Sequence, residues 1–341
     1  MKKILIHTRQ AGSASSFIPV VRELKQIGCN CLVLSEGHSI DLWNNSEIEN
    51  CEIDTFNEDI LDDFSPDFIL TGTSLKVAED AKYWNWAELN SIPSLAYLDS
   101  RVNYKERFSV DNLFDRVPNI IGVADELIKK RLKEEGLRKN IIKVLPQPRF
   151  DDLIRESLNK TDQASKHITI FTNPSYIGEG SEEDNVGYNS QDSLTQIINC
   201  FKRINNKKKL TSKIYIKFHP RESIKRYPKI DIQDLKKKGL NIDVSNSNSL
   251  IFSSNLVVGF TSIVLLDSAV LGIPTVSYQP SKLNIVSDIT AQRKNLRVIH
   301  DIKIMESYLE NMIRNNYSKK KVLKRKKAGG KFAKFILGLV E

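Results

Sequence analysis

Two short motifs in the second half of the chain carry residues that can bind a phosphate group. The first, Lys217-Phe218-His219-Pro220-Arg221, closes an alternating apolar and polar segment that begins at residue 213. Such alternation predicts a strand, and proline cannot continue a paired strand, so His219 is predicted at the strand's carboxyl end. Ligands bind at that edge of an open α/β sheet, where an imidazole beside Arg221 can donate to a phosphoryl oxygen or protonate a departing phosphate. The alternative is a histidine that only caps a turn.

The second motif is Gly259-Phe260-Thr261-Ser262, between a predicted buried strand at 255–259 and a predicted apolar helix at 263–271. Thr261 and Ser262 would occupy the helix N-terminus, where hydroxyls, free backbone N–H groups and the helix dipole together attract anions. Asp267, further along the helix, would meet ribose hydroxyls. The alternatives are ordinary helix capping by Thr261 and Ser262, and a solvated Asp267.

The remaining pattern predicts two α/β domains. Strands are predicted at residues 3–7, 31–35, 67–71, 94–99, 120–123 and 141–145, with a helix from about 16 to 27, and a second series opens with a strand at 167–171 and a helix at 190–203. Right-handed crossovers between such elements give doubly wound parallel sheets. A proline-broken segment near 146–153 suggests the boundary, so we predict domains at 1–150 and 151–318, followed by a basic amphipathic helix at 319–341.

A long polar loop with three glycines covers residues 172–189. Loops of this length inside a compact domain are usually functional or mobile. We therefore expect it to contact a donor or an acceptor, and we count Asn173 among the nucleotide-binding residues.

The order of these motifs resembles a known group of enzymes. Strand-His-Pro, then strand-Gly-x-Thr-Ser, an apolar helix and Leu271-Gly-Ile-Pro-Thr275 resemble the C-terminal half of GT-B glycosyltransferases. The similarity is to bacterial sialyltransferases and polysialyltransferases with His-Pro and Ser-Ser/Thr motifs, to Kdo transferases of capsule synthesis, and to CDP-glycerol glycerophosphotransferases; UDP-GlcNAc 2-epimerases share the architecture. The motif match spans residues 210–280. Asp267 stands where many relatives carry glutamate, and the first half lacks the acidic-acidic-Gly motif of sialyltransferases.

The resemblance implies two Rossmann-like domains facing a cleft, and a metal-independent transferase of capsule or lipopolysaccharide biosynthesis. The preferred reaction moves an acidic sugar from a CMP donor onto a surface glycan or glycolipid. The alternatives are an enzyme like UDP-GlcNAc 2-epimerase, a UDP-sugar transferase and a CDP-glycerol glycerophosphotransferase. A non-enzymatic alternative is an α/β protein that binds polyanions. Neither a metal nor another cofactor is expected, since no Asp-x-Asp triplet and no paired histidines at ligand spacing are present.

A transferase also needs a base for the acceptor hydroxyl, and the strand ends of the first half offer three candidates. Asp99 closes the strand at 94–99 and is our first choice, while His7 and Glu36 follow the first and second strands. Each of these side chains could instead cap the helix that follows. The phosphate would be held by His219, Arg221, Thr261 and Ser262, and Pro220 and Gly259 are counted with them among the nucleotide-binding residues.

Composition limits the partners. The chain of 341 residues has a net charge of +9, and nine of its cations fall within residues 319–334, ahead of the apolar run 335–340. Such a helix suits an anionic membrane surface, although its apolar residues could equally return to the core of the first domain. Nucleic acid is not expected, because no binding module is recognisable. The four cysteines lack metal-site spacing, and the sequence has no apolar run of about 18 residues. Both observations predict a cytoplasmic protein, and the basic helix would allow peripheral contact with the inner membrane face.

Overall fold

The chain folds into two units. The computed structural model describes residues 1–74, 78–99, 104–109, 117–137, 141–159, 167–173, 188–208, 213–219, 222, 227, 233, 236, 239–243, 247–280, 295–314 and 327–340. Unit 1 comprises Met1–Asp152 together with Arg325–Glu341, and unit 2 comprises Leu153–Lys324. The C-terminal segment, predicted as a separate helix, is thus grouped with unit 1.

The described part of unit 1 contains a seven-stranded parallel sheet. Its strands are β1 (Lys3–Thr8), β2 (Asn30–Ser35), β3 (Cys51–Glu52), β4 (Phe68–Thr71), β5 (Ser94–Leu98), β6 (Ile120–Val123) and β7 (Ile142–Val144). They are ordered β3-β2-β1-β4-β5-β6-β7. The helices of this part are α1 (Ala11–Gln26), α2 (Ile40–Asn44), α3 (Glu58–Phe64), α4 (Ala78–Leu89), α5 (Glu126–Glu134) and α6 (Arg149–Asn159), which continues into unit 2.

Both faces of this sheet are covered, which explains why its strands are continuous apolar runs. Successive side chains of a strand point to opposite faces. Ile4 and Ile6 of β1 therefore join the core formed with α1, whereas Leu5 joins the core formed with α4 and α5. Parallel strands covered by helices on both faces favour this unbroken apolar pattern.

The described part of unit 2 contains a six-stranded parallel sheet in the order β10-β9-β8-β11-β12-β13. Its strands are β8 (His167–Phe171), β9 (Lys213–Lys217), β10 (Leu240–Ile242), β11 (Ser254–Gly259), β12 (Thr275–Tyr278) and β13 (Leu296–Ile299). Its helices are α7 (Ser190–Lys208), α8 (Ser247–Ser253), α9 (Val264–Val270) and α10 (Ile302–Arg314).

These two sheets confirm the predicted class of two Rossmann-like, doubly wound α/β domains. In each sheet the strand order reverses once beside the first strand, between β1 and β4 in unit 1 and between β8 and β11 in unit 2. In open α/β sheets, ligands bind outside the carboxyl ends of the strands at such a reversal. The fold therefore marks one place in each unit where a ligand site is expected.

The last helix, α11 (Ala328–Val340), packs on α1. Phe332, Ala333 and Ile336 are buried there, and the Phe332 ring lies 5.2 Å from that of Tyr97. The helix begins where the Gly329 N–H donates to Asp151 Oδ2 at 2.9 Å. Of the two alternatives for this apolar segment, the structure favours core packing. In the described ranges no helix combines the length and the apolar character that crossing a membrane requires.

A pair of glycine substitutions in α11 tests this packing. A Cβ atom on Gly329 would lie 2.8 Å from the carbonyl oxygen of Pro19, whereas one on Gly338 meets nothing within 4 Å. Alanine removes a helix penalty of about 1 kcal/mol at either position, but overpacking against backbone costs about 1–3 kcal/mol. We expect Gly329→Ala to lower the free energy of unfolding and Gly338→Ala to raise it slightly, as measured by urea denaturation. Equal stabilisation by both changes would contradict the contact between α11 and α1.

Candidate functional site

In unit 2 two of the predicted nucleotide-binding residues, Asn173 and Thr261, lie at the carboxyl edge of the sheet, at the reversal between β8 and β11. Asn173 follows β8 and Thr261 follows β11, and two hydrogen bonds join them. The Asn173 amide donates to Thr261 Oγ1 at 3.0 Å, and the Thr261 N–H donates to Asn173 Oδ1 at 3.0 Å. The two residues, 88 positions apart in the sequence, form a bridge across the place where ligands bind in this fold class.

Gly259 permits the close approach of these two strands. A Cβ atom at this position would lie 2.8 Å from the carbonyl oxygen of Phe171 in β8. Any larger residue would therefore push β11 away from its neighbour. The glycine predicted as part of a ligand motif thus has a packing role that positions Thr261.

Ser262 and Asp267 belong to the entry and the body of α9. Ser262 Oγ accepts a hydrogen bond from the Val264 N–H at 3.4 Å, although the N-cap position of this helix is occupied by Ile263. Asp267 is 5% exposed on α9. Its predicted contact with a ribose stays a prediction.

His219 follows β9 and is half-buried. Its backbone N–H donates to Thr172 Oγ1 at 3.1 Å, and the Thr172 hydroxyl donates in turn to Glu222 Oε2 at 2.5 Å. The Tyr227 hydroxyl donates to the other Glu222 oxygen at 2.6 Å. These bonds tie the residue after β9 to the end of β8. Pro220 and Arg221 lie outside the described residues, so their predicted roles remain predictions.

In unit 1, Asp99 lies just beyond β5, over the start of α1. A Cβ atom on Gly12 would lie 2.1 Å from Asp99 Oδ2, so only glycine leaves room for the carboxyl group at this position. Burial raises the pKa of Asp99 above its ordinary value, and the Arg107 guanidinium opposes that shift only in part. A carboxyl group with a raised pKa at a ligand-binding edge fits a general acid or base.

His7 and Glu36, the other two candidate bases, are engaged with each other. His7 is fully buried, with Nε2 lying 3.5 Å from Glu36 Oε2 and Nδ1 lying 3.4 Å from Asp80 Oδ1. The second Glu36 oxygen lies 3.2 Å from Arg9 Nε. Asp99 is therefore the one of the three whose carboxyl or imidazole group is not part of this buried group. Its role as the base stays a prediction.

Sequence reasoning missed three residues of these edges, namely Asp80, Thr172 and Glu222. Asp80 lies in the first turn of α4, where an acidic residue is ordinarily a helix-end charge. Thr172 and Glu222 are 50 positions apart. Nothing in residue type or spacing indicates that these side chains contact His7 or the backbone at His219.

Across the described ranges, no group of three or more His, Cys, Asp and Glu side chains is arranged to hold a metal ion. The groups available at the two carboxyl edges are hydroxyls, amides, an imidazole, arginines and carboxylates. They can bind phosphate and sugar hydroxyls and can move a proton.

The two sheets and the helices around them have the GT-B-like fold. No protein-family model and no curated protein matches the sequence. Solved structures match over almost the entire chain. UDP-GlcNAc 2-epimerase from Neisseria meningitidis, bound to UDP-GlcNAc, has a TM-score of 0.71 at 16% identity, over 98% of this chain and 98% of its own. The Methanocaldococcus jannaschii UDP-GlcNAc 2-epimerase has a TM-score of 0.70 at 15% identity, over 98% and 99%.

A third similar structure carries a different name. HepE from Anabaena, in complex with UDP, has a TM-score of 0.58 at 11% identity, over 100% of this chain and 97% of its own. At these identities the likeness establishes the fold. It directs attention to UDP-GlcNAc 2-epimerases, the alternative that the motifs placed second, and gives no support to a particular likeness to sialyltransferases or Kdo transferases.

Proposed function

We propose that the protein is an enzyme that acts on a UDP-linked sugar, with unit 2 holding the nucleotide. The observation that carries this proposal is the hydrogen-bonded pair Asn173 and Thr261 at the sheet reversal of unit 2, with His219 beside it. Imidazole, hydroxyl and amide groups at that edge suit the oxygens of a diphosphate. UDP is favoured over CMP because UDP or UDP-GlcNAc is the ligand named for two of the similar structures.

We propose 2-epimerase-type chemistry ahead of sugar transfer. Epimerisation at C2 needs one group that removes the C2 proton from one face of the sugar, with the electron pair expelling UDP from C1, and another that delivers a proton to the opposite face as UDP adds back. We propose Asp99, whose pKa is raised by burial, as one of these two groups. The two epimerases with this fold support the choice. We propose that neither a metal nor another cofactor takes part.

Sugar transfer is the second candidate, and the Thr261-Ser262 and His219-Pro220 motifs favour it. Its donor would be a UDP-sugar or, as the motifs first suggested, a CMP-linked acidic sugar. The acceptor would be a surface glycan or glycolipid, reached at the cytoplasmic face of an anionic membrane. Transfer would use Asp99 as the base that deprotonates an acceptor hydroxyl.

Nucleotide-dependent thermal stabilisation tests the binding half of this proposal. UMP, UDP, CMP, CDP, ADP and NAD are added separately to the purified protein. A ligand at about 100 times its Kd adds about 2.7 kcal/mol to the stability of the folded state, which raises Tm by roughly 5–10 °C. We expect UDP to raise Tm and ADP and NAD to leave it unchanged. Stabilisation by CMP alone would return the CMP-sugar transferase to first place, and no stabilisation by any nucleotide would contradict the proposal.

The reaction itself is followed by proton NMR with UDP-GlcNAc in D2O. A 2-epimerase exchanges the proton at C2 for deuterium and yields the 2-epimer, or UDP and free sugar, without an acceptor. A transferase leaves C2 unlabelled. Repeating the reaction after treatment with EDTA tests the prediction of metal independence.

A further inference from the structure

A row of ionisable side chains runs through the interior of unit 1. His7 is completely buried, Asp80 is 1% exposed and Glu36 is 7% exposed. The ring nitrogens of His7 lie 3.5 Å from Glu36 Oε2 and 3.4 Å from Asp80 Oδ1. Within the part of the chain that the structure describes, these four atoms have no conventional hydrogen-bond partner. The imidazole and the two carboxylates therefore depend on one another.

This arrangement suits an imidazolium ion. A neutral imidazole has one N–H, so one of its nitrogens would turn a lone pair toward a carboxylate oxygen, whereas the imidazolium presents a donor to each side. Burial by itself lowers the pKa of His7, but the carboxylates of Asp80 and Glu36 outweigh it and hold that pKa above its ordinary value. Tyr83 covers the ring, with the two ring centroids 4.2 Å apart.

The two ends of this row of side chains lead to the carboxyl edge of the sheet. On one side, Glu36 Oε1 lies 3.2 Å from Arg9 Nε, and the Arg9 side chain is 41% exposed. On the other side, Asp80 Oδ2 accepts a hydrogen bond from the Ser74 N–H at 2.6 Å. The buried charges thus end at an arginine that precedes α1 and at the segment 72–74 that follows β4.

The start of α1 and segment 72–74 both adjoin Asp99. Gly12, at the start of α1, lies under the Asp99 carboxyl group, and the next residue, Ser13, packs on Gly72. Arg107 donates to the Thr73 carbonyl oxygen at 2.8 Å. Its positive charge also opposes in part the rise in the pKa of Asp99 that burial causes. Movement of segment 72–74 would therefore change the surroundings of Asp99.

We propose that His7 is a positioning residue, which by bridging Glu36 and Asp80 fixes Arg9 ahead of α1 and segment 72–74 beside Asp99. The role rests on the proposed function, in which Asp99 is the acid–base group. His7 itself contacts no substrate. When His7 is neutral, its ring offers an N–H to only one of the two buried carboxylates. The other carboxylate then releases the group that it holds, which is Arg9 for Glu36 and the Ser74 N–H for Asp80.

The sign of the pH dependence follows from the raised pKa of His7. The stability that the bridge contributes is fully present below the pKa of an unfolded histidine, about 6.5, and is lost as the pH rises through the higher pKa of the folded state. The charged and titratable groups facing the ring are Glu36 after β2 and Asp80 of α4, with Tyr83 stacked on it. Two carboxylates face one imidazolium, and the guanidinium of Arg9, beside Glu36, supplies the second positive charge.

The test compares His7→Gln with His38→Gln, which replaces an exposed histidine of the same unit. Hydrogen exchange is measured for the Ser74 amide and for the amides of β1. We expect His7→Gln to speed Ser74 exchange at least tenfold more than exchange in β1, because Asp80 loses its anchor. Adding Asp80→Asn to His7→Gln should recover part of the protection, since it removes the uncompensated charge and keeps an acceptor. Equal acceleration at Ser74 and β1, or equal behaviour of the two histidine variants, would overturn the proposal.

Two further readouts separate this proposal from the proposed function. The ring 15N chemical shifts of His7 in the unaltered protein, followed against pH, should show a pKa above the ordinary histidine value of about 6.5. A pKa at or below that value would overturn the proposal even if His7→Gln does not fold. Neither this measurement nor hydrogen exchange needs a substrate, so both stand if no UDP-sugar is turned over. If turnover is found, His7→Gln should lower kcat on the acid side, where the bridge is present in the unaltered protein, more than on the alkaline side, relative to His38→Gln. An unchanged pH profile would also count against the proposal.

Discussion

Replacing Asp99 with asparagine is expected to lower kcat on a UDP-sugar by about 10²- to 10⁴-fold, the usual contribution of a general acid or base. The amide keeps the shape of the side chain over Gly12 but cannot accept or return a proton. Because burial raises the pKa of Asp99, the acid limb of the pH profile should lie at a higher pH than an ordinary aspartate would give. Steady-state kinetics between pH 4 and pH 9 measures both effects. Each order of magnitude in kcat corresponds to about 1.4 kcal/mol of activation free energy.

A matched control lies at the opposite edge of the same sheet. Asp67 accepts a hydrogen bond from the Lys3 N–H at 2.7 Å, at the amino ends of β4 and β1. Asp67→Asn should leave kcat within about twofold, since this edge is not where ligands bind in open α/β sheets. UDP binding should be the same in both variants. Full activity of Asp99→Asn would assign the proton transfer to another residue.

The second large effect is expected from His219→Ala, which should weaken UDP binding by roughly 10- to 100-fold. A hydrogen bond to a charged group contributes about 1.5–3 kcal/mol, and each 1.4 kcal/mol is about tenfold in Kd. Stability should change little, because the imidazole is half-buried and the bond to Thr172 is made by the backbone. Isothermal titration with UDP gives the affinity, and thermal denaturation without ligand gives the stability.

His167 provides the contrasting variant in the same unit. It begins β8 at the other edge of the sheet, and its Nε2 lies 3.2 Å from the Leu250 carbonyl oxygen. His167→Ala should cost roughly 1–2 kcal/mol of stability and leave UDP affinity unchanged. If His219→Ala instead lowers Tm as much as His167→Ala does while affinity is retained, the assignment of His219 to phosphate binding is wrong.

The strands could be predicted from the sequence because their signal is local. Residues 3–7 and 94–99 were predicted as strands, and the structure has Lys3–Thr8 and Ser94–Leu98. The start of α1 was placed about five residues too late. Residues 11–15 are small and polar, as in a loop, and they are helical here where Gly12 and Ser13 pack against Asp99 and Gly72. Such contacts come from distant strands, and no local pattern shows them.

Of the site, only the placement of residues at strand ends could be predicted from the sequence. Parallel strands bring their carboxyl ends to one edge, so His219, Thr261 and Asp99 could be nominated from their positions alone. Which side chains meet depends on atoms far apart in sequence, as with Asn173 and Thr261, which are separated by 88 residues. For the same reason His7 was predicted as a base, whereas its burial between Glu36 and Asp80 could not be foreseen.

The return of α11 to α1 has a consequence for synthesis on the ribosome. Domains generally fold as units while the nascent chain emerges, the N-terminal one first. Here the first unit lacks the side chains of Phe332 and Ile336 until Leu153–Lys324 has been translated. The surface of α1 that these residues cover stays exposed while all of Leu153–Lys324 is being made. Chains stalled before residue 328 would therefore present an apolar helix face to chaperones, and a complete first unit can form only after the second has left the exit tunnel.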